Sequence, residues 1–196
     1  HMKVVMIRHG KTPGNLLKQY IGRTDQSLAD EGIKELKAIA SSEEFKQTLD
    51  SEKVEKIFVT PLKRTQETAA ILFPNARQMI INDLREMDFG IFEEKNYIDL
   101  EHSKEYAAWL DTHCESKVPE GEDKASFSKR SCDAFLQCMK DSGDEVVYFL
   151  VHGGTIMSVM EAFAETRQEY YKWYAENGHG YMAEWDGSVL SKIQAV

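Results

Sequence analysis

Short apolar runs alternate along the chain with longer stretches of helical periodicity. Val4-Val5-Met6-Ile7 is continuously apolar, as a parallel strand covered on both faces would be. Ile57-Phe58-Val59 is a second such run, Met79-Ile80-Ile81 a shorter third, and Val146 to Val151 the fourth and strongest. Tyr181 to Trp185 and Val189 to Ile193 flank Asp186-Gly187, which reads as a hairpin turn joining two strands at a sheet edge.

Between these runs the period changes from two to about 3.6. Asp30 to about Leu49 reads as a helix with Ile33, Leu36 and Ala40 on one face. Thr60-Pro61 reads as an N-cap followed by proline at the first helical position, with Thr65, Ala69, Leu72 and Phe73 facing inward. Ser126 to Met139 groups Phe127, Ala134, Phe135 and Cys138, and Gly153 to about Phe163 follows the fourth strand directly. Asn96 to His113 reads as helical, anchored by Tyr106, Trp109 and Leu110, and it interrupts the strand–helix rhythm. Residues 91–125 are therefore expected to form a cap-like insertion. The alternation as a whole predicts a layered α/β fold.

Composition narrows this little. The 196 residues, 42% hydrophobic and 29% charged, suit one globular domain, and no repeat or Pro/Gly-rich linker divides them. His1-Met2 resembles the remnant of a cleaved tag and is expected to lie outside the fold. No run reaches the 18 or so apolar residues of a membrane span, so the expected location is cytoplasmic, without a membrane partner. The three cysteines, Cys114, Cys132 and Cys138, form no metal or disulfide pattern. A net charge of −9 argues against nucleic-acid binding, yet leaves room for a local cationic pocket.

The chemistry collects where the apolar runs end. Open parallel sheets bind ligands at the carboxyl ends of their strands. Arg8-His9-Gly10 follows the first run and Thr60-Pro61, with Arg64 one turn on, follows the second. Leu84-Arg85-Glu86 follows the third, and His152-Gly153-Gly154-Thr155 the fourth. Arginines match phosphate oxygens with forked donors. They also depress the pKa of a nearby histidine, which favours a neutral, nucleophilic imidazole. A carboxyl group beside bound phosphate is suited to proton transfer. The glycines opening a helix at 153 offer free N–H groups to an anion. This set supplies phosphoryl transfer without metal or cofactor.

These residues also carry a resemblance. Arg8-His9-Gly10-Lys11-Thr12-Pro13-Gly14-Asn15 resembles the opening motif of the histidine phosphatase superfamily, the phosphoglycerate-mutase-like proteins. Gly22 to Leu28 followed by Gly32, Thr60 to Ala69, Leu84 to Gly90 and Val151 to Gly154 resemble its further motifs, in family order and spacing. The resemblance implies a three-layer α/β/α fold with a mostly parallel central sheet. It implies that His9 is the phosphorylated nucleophile, that Arg8, Arg64 and His152 hold the phosphoryl group, and that Glu86 is the general acid and base. Asn15, Gly22 and Gly153 would bind phosphate or substrate.

Some details depart from the mutase branch. No Arg-Arg pair is present to read a substrate carboxylate, and Ile21 stands where mutases carry a small hydroxyl residue. Pro119-Glu120-Gly121-Glu122-Asp123 resembles a stretch of the α-ribazole-phosphatase-like branch. Where phosphatases have Trp-Glu-Gly, this chain has Phe92-Glu93-Glu94.

Plainer roles stand beside these. Arg64 could pair with Glu67 on its own helix, and Asp88, Glu93 or Glu94 could replace Glu86 as the acid. His102, His113 and His179 read as surface residues, and Tyr170 to Tyr174 as a packed amphipathic helix rather than a pocket wall. Asn177 to Gly180 reads as a loop that could approach the site. The expected activity is hydrolysis of a small phosphorylated metabolite, such as α-ribazole phosphate, a sugar phosphate or a nucleotide-like phosphate. The alternatives are a phosphoglycerate mutase, a non-catalytic phosphoprotein-binding module and a dihistidine metal hydrolase.

Overall fold

The computed structural model describes residues 2–196. Six strands form the middle layer: β1 (Met2–Arg8), β2 (Lys56–Val59), β3 (Arg77–Ile80), β4 (Val146–Val151), β5 (Gly180–Trp185) and β6 (Leu190–Ala195). Their order across the sheet is β3-β2-β4-β1-β5-β6. The first four run parallel, while β5 and β6 are antiparallel and close one edge as the expected hairpin. Met2 belongs to this sheet, paired with Trp185, and is not an appendage as expected; His1 lies outside the described residues.

The continuous apolar runs are explained by burial on both faces. Val5 and Ile7 of β1 pack with α2 (Asp30–Ser41), α3 (Glu43–Leu49) and α4 (Lys63–Leu72) through Leu36, Phe45 and Leu72. Val4 and Met6 face the opposite way, toward α6 (Lys124–Asp141) and α7 (Gly153–Phe163), through Phe135, Met139 and Ile156. Alternate residues of one strand thus feed two cores, which makes three layers. β3 is an edge strand, so Ile80 is exposed rather than buried.

Several boundaries differ from expectation for local reasons. The helix from Asp30 breaks at Ser42, which turns extended and accepts the Phe45 N–H at 3.2 Å, capping α3 as a separate helix. Thr60 does not cap α4. The helix starts at Lys63, and Thr60 Oγ1 instead receives the Leu62 N–H and contacts His152. Between Asn96 and His113 only α5 (Lys104–Asp111) is helical, capped by Ser103. Leu110 is exposed there, and Leu100 takes its place beside Tyr106 and Trp109. Tyr170–Trp173 forms a single 3-10 turn rather than a longer helix.

The irregular stretch after Gly90 carries a third cluster of its own, built from Phe92, Leu100, Tyr106, Trp109 and Val118 and joined by Met87 and Phe127. Gly90 sits at φ +47°, where a side chain would collide with the backbone of Pro119 to Gly121. The same stretch holds Glu94, His113, Cys114 and Glu120 at positive φ. These left-handed residues mark turns that lead the chain in and out of that cluster.

Candidate active site

β1 and β4 are neighbours with Arg8 opposite Val151, so the residues after them emerge together at one sheet edge. The His9 N–H donates to the Val151 carbonyl at 3.1 Å, and the rings of His9 and His152 meet edge-on with centroids 5.3 Å apart. β2 flanks β4 on the other side and brings Thr60 Oγ1 to 2.9 Å from His152 Nε2. Both histidines are buried.

His9 Nδ1 lies 2.6 Å from the Gly10 carbonyl, which can only accept. Nδ1 therefore carries the proton, and in the neutral ring Nε2 is a bare lone pair. Burial holds the His9 pKa well below its ordinary value, and Arg64 and Arg8 push it further down against the opposing Gly10 bond. His152 is lowered in the same way, by burial first and then by Arg64, His9 and Arg8. Both imidazoles are neutral at neutral pH.

Arg64 is fully buried in α4. It does not pair with Glu67, whose carboxylate caps the Leu28 N–H. Its guanidinium donates to the carbonyls of Thr24 and Gly22, each at 2.7 Å. Burial lowers its pKa to about 10, with Glu86, Glu93 and Asp25 resisting, so it stays charged at neutral pH. Arg8 is steered by the Tyr174 hydroxyl at 3.1 Å and the Ala175 carbonyl at 3.0 Å.

Glu86 accepts the Met87 N–H at 2.9 Å and, through its other oxygen, the Gly154 N–H at 3.1 Å. Burial raises its pKa, and those two donors with Arg64 and Arg8 only partly offset the rise. A side chain at position 154 would collide with the Glu86 carboxylate, and one at 153 would lie 3.2 Å from Arg8 Nε. The two glycines therefore let both charged groups close on the start of α7. The rival carboxylates are spoken for elsewhere. Asp88 pairs with Arg23 at 3.0 Å, Glu93 accepts from the backbone of Gly22, Thr24 and Phe89, and Glu94 is exposed.

Arg8 Nε, Arg64 Nε and His152 Nδ1 are buried and have no hydrogen-bond partner in the protein. Buried polar atoms without partners are uncommon. Three from different elements at one sheet edge mark a place built for a ligand with several acceptor oxygens. Gly153, the first residue of α7, adds an N–H that the helix itself cannot pair.

Asn15 and Gly22 meet the site less directly. Asn15 lies in α1 (Pro13–Leu16), where its Oδ1 accepts the Thr12 N–H and lies 3.4 Å from Asn177 Nδ2. Gly22 was expected to bind phosphate or substrate through its backbone; its N–H is instead taken by Glu93, and it reaches the site through the carbonyl that holds Arg64. The Asn177 loop does approach, donating to the His9 carbonyl at 3.0 Å. His102, His113 and His179 lie exposed.

Thr60, Glu93, Arg130 and Asn177 act as supports, a role the sequence does not suggest for any of them, although Glu93 stands there as a rival acid and the Asn177 loop as an approach to the site. Glu93 ties the loop whose carbonyls hold Arg64, and Arg130 binds the carbonyls of Asp83, Arg85 and Glu86 while pairing with Glu122 at 2.8 Å. Glu93 within the Gly90–Glu94 motif carried a signal, whereas Arg130 and Asn177 stood alone on a helix and in a loop. Beside Glu86 and Gly154 opens a cavity of about 300 Å³, walled by aromatic rings that include Tyr170 and Tyr171. Part of the Tyr170–Tyr174 segment thus lines a pocket after all.

The profile of the histidine phosphatase superfamily (branch 1) matches residues 4–191. The Proteus mirabilis protein named "Probable phosphoglycerate mutase GpmB" is 26% identical over 178 residues, 85% of this chain and 79% of that protein. The adenosylcobalamin/alpha-ribazole phosphatase of Salmonella typhimurium is 29% identical over 148 residues, 70% of each chain. The alpha-ribazole phosphatase structure from Shigella flexneri superposes with a TM-score of 0.80 at 20% identity, covering 96% of this chain and 93% of that one.

Proposed function

The chain belongs to the histidine phosphatase superfamily, and we propose that it hydrolyses a small phosphomonoester through a phosphohistidine at His9. The observation that carries this reading is the bare Nε2 of a neutral His9, ringed by buried donors that have no protein partner. A relative named as a phosphatase at 29% identity supports the same direction of chemistry.

His9 Nε2 attacks phosphorus in line with the ester oxygen. As the N–P bond forms, the P–O ester bond breaks and the leaving oxygen takes the proton of Glu86, whose raised pKa keeps it available. Arg8, Arg64, His152 and the Gly153 N–H hold the non-bridging oxygens and neutralise the charge on them. If the Thr60 hydroxyl donates to His152 Nε2, the ring proton sits on Nδ1, the unpartnered atom. Water then attacks the phosphohistidine, ionised Glu86 accepts its proton, and the N–P bond breaks to release phosphate. Arginines supply the charge that a metal ion supplies in other phosphoryl-transfer sites. Residues 91–125 act as a cap over the leaving-group side of one catalytic domain.

Phosphate release from a panel of phosphomonoesters, measured with chelator present, tests the reading. Release is expected from the wild type and none from His9→Ala. Interconversion of phosphoglycerates without phosphate release would show a mutase instead.

A further inference from the structure

The cavity beside Glu86 has a chemical character of its own. Its walls are the rings of Tyr20, Phe89, Trp109, Phe127, Tyr170 and Tyr171. Two of the three tyrosine hydroxyls are already engaged, Tyr20 with Tyr106 at 2.8 Å and Tyr170 with the Gly154 carbonyl at 3.3 Å. The cavity therefore presents mostly ring surface, with the Tyr171 hydroxyl at its exposed side.

Lys124 is the one cation among the described lining residues, and it is not free to read an anion. Its Nζ sits 4.3 Å over the Tyr170 ring and lies 3.5 Å from Glu161 and 3.7 Å from Glu115. Two carboxylates beside one ammonium already satisfy its charge. A substrate carboxylate entering here would lose water and find the lining cation already paired. A polyol would lose hydrogen bonds to water that the walls do not replace. A flat apolar ring would displace water from ring surface at no such cost. The size fits as well, since a cavity of about 150 Å³ takes a benzene ring and this one is near 300 Å³.

Building on the phosphatase reading above, we propose that the substrate is the phosphomonoester of an uncharged alcohol bearing a flat aromatic ring. Esters of carboxylate-bearing or polyhydroxylated alcohols are poor substrates. Tyr171, exposed at the cavity mouth, and the Lys124–Glu161 pair are the residues that set this preference.

The test compares kcat/KM for 2-phenylethyl phosphate, ethyl phosphate, 3-phosphoglycerate and glucose 6-phosphate, all alkyl esters of similar leaving-group basicity, with p-nitrophenyl phosphate as a general readout. The phenylethyl ester is expected to lead ethyl phosphate by about 10- to 200-fold, with the other two at or below ethyl phosphate. Tyr171→Ala is expected to lower the phenylethyl-to-ethyl ratio about tenfold. Glu161→Gln, which frees Lys124, is expected to raise 3-phosphoglycerate relative to the phenylethyl ester. Hydrolysis of p-nitrophenyl phosphate with 3-phosphoglycerate or glucose 6-phosphate leading the alkyl series would overturn the inference while the phosphatase reading stands. Absence of release from every ester would overturn both.

Discussion

The two halves of the site are built by opposite means. The phosphate end stands at the tips of β1, β2 and β4, where register fixes His9 beside His152 and Thr60. Its specificity is charge and bare donors, and little of it depends on shape. The end proposed to take the leaving group stands on irregular backbone after Gly90, with Glu94, His113, Cys114 and Glu120 at positive φ, and its walls are aromatic rings. Sheet register is rigid because a slip would move every side chain to the wrong face. A packed cluster of rings on turns can be exchanged one side chain at a time. On the proposed function, such an arrangement would let one phosphoryl-transfer apparatus accept different alcohols by changing only the second region.

Substitutions should separate the two halves in this order of severity. Arg64→Ala removes a buried cation and its two carbonyl bonds, and kcat/KM is expected to fall about 1000-fold for every ester alike. Steady-state kinetics on one apolar and one polar ester check this; a loss confined to one ester would place Arg64 at the leaving group. Glu86→Gln is expected to slow alkyl esters about 100-fold and aryl esters with good leaving groups much less. Equal losses on both would mean that another group donates the proton.

The pH profile carries the same signs. His9 must be neutral, and its lowered pKa keeps it so down into acid. Glu86 must be protonated, and its raised pKa delays the loss of activity on the alkaline side. The kcat/KM profile is therefore expected to be bell-shaped, and Glu86→Gln should abolish the alkaline limb while sparing the acid one.

Much of the phosphate end was legible in the sequence, and for a physical reason. A buried parallel strand reads as an unbroken apolar run, and the first polar residue after it must stand at the sheet edge. Arg8, His9, Arg64, Glu86 and His152 were gathered by that logic, and the motif resemblance gave each its expected role. The supports were hidden because they act through backbone. Glu93 reaches Arg64 only by holding the amides of Gly22 and Thr24, and Arg130 steadies Glu86 through carbonyls contributed from a distant helix. No side-chain pattern announces a partner that is a peptide group. Asn96 to His113 reads as a long helix because its apolar spacing suits one, while Ser103 and the turns around Asn96 confine the helix to Lys104–Asp111.

The smallest effect sharpens this point. Glu93→Gln keeps the size of the side chain and weakens its grip on Gly22 and Thr24. It is expected to lower kcat about tenfold through misplaced Arg64, a cost typical of sub-ångström errors in positioning. Equal kinetics in the variant would show that the loop holds Arg64 without that carboxylate.

The phosphoenzyme is the central claim, and rapid acid-free quenching of the reaction with a radiolabelled phosphomonoester tests it most directly. Label is expected on the protein in an acid-labile, base-stable form, located to His9 by peptide mapping and missing from His9→Ala. Hydrolysis that proceeds at full rate without label ever reaching His9 would contradict it.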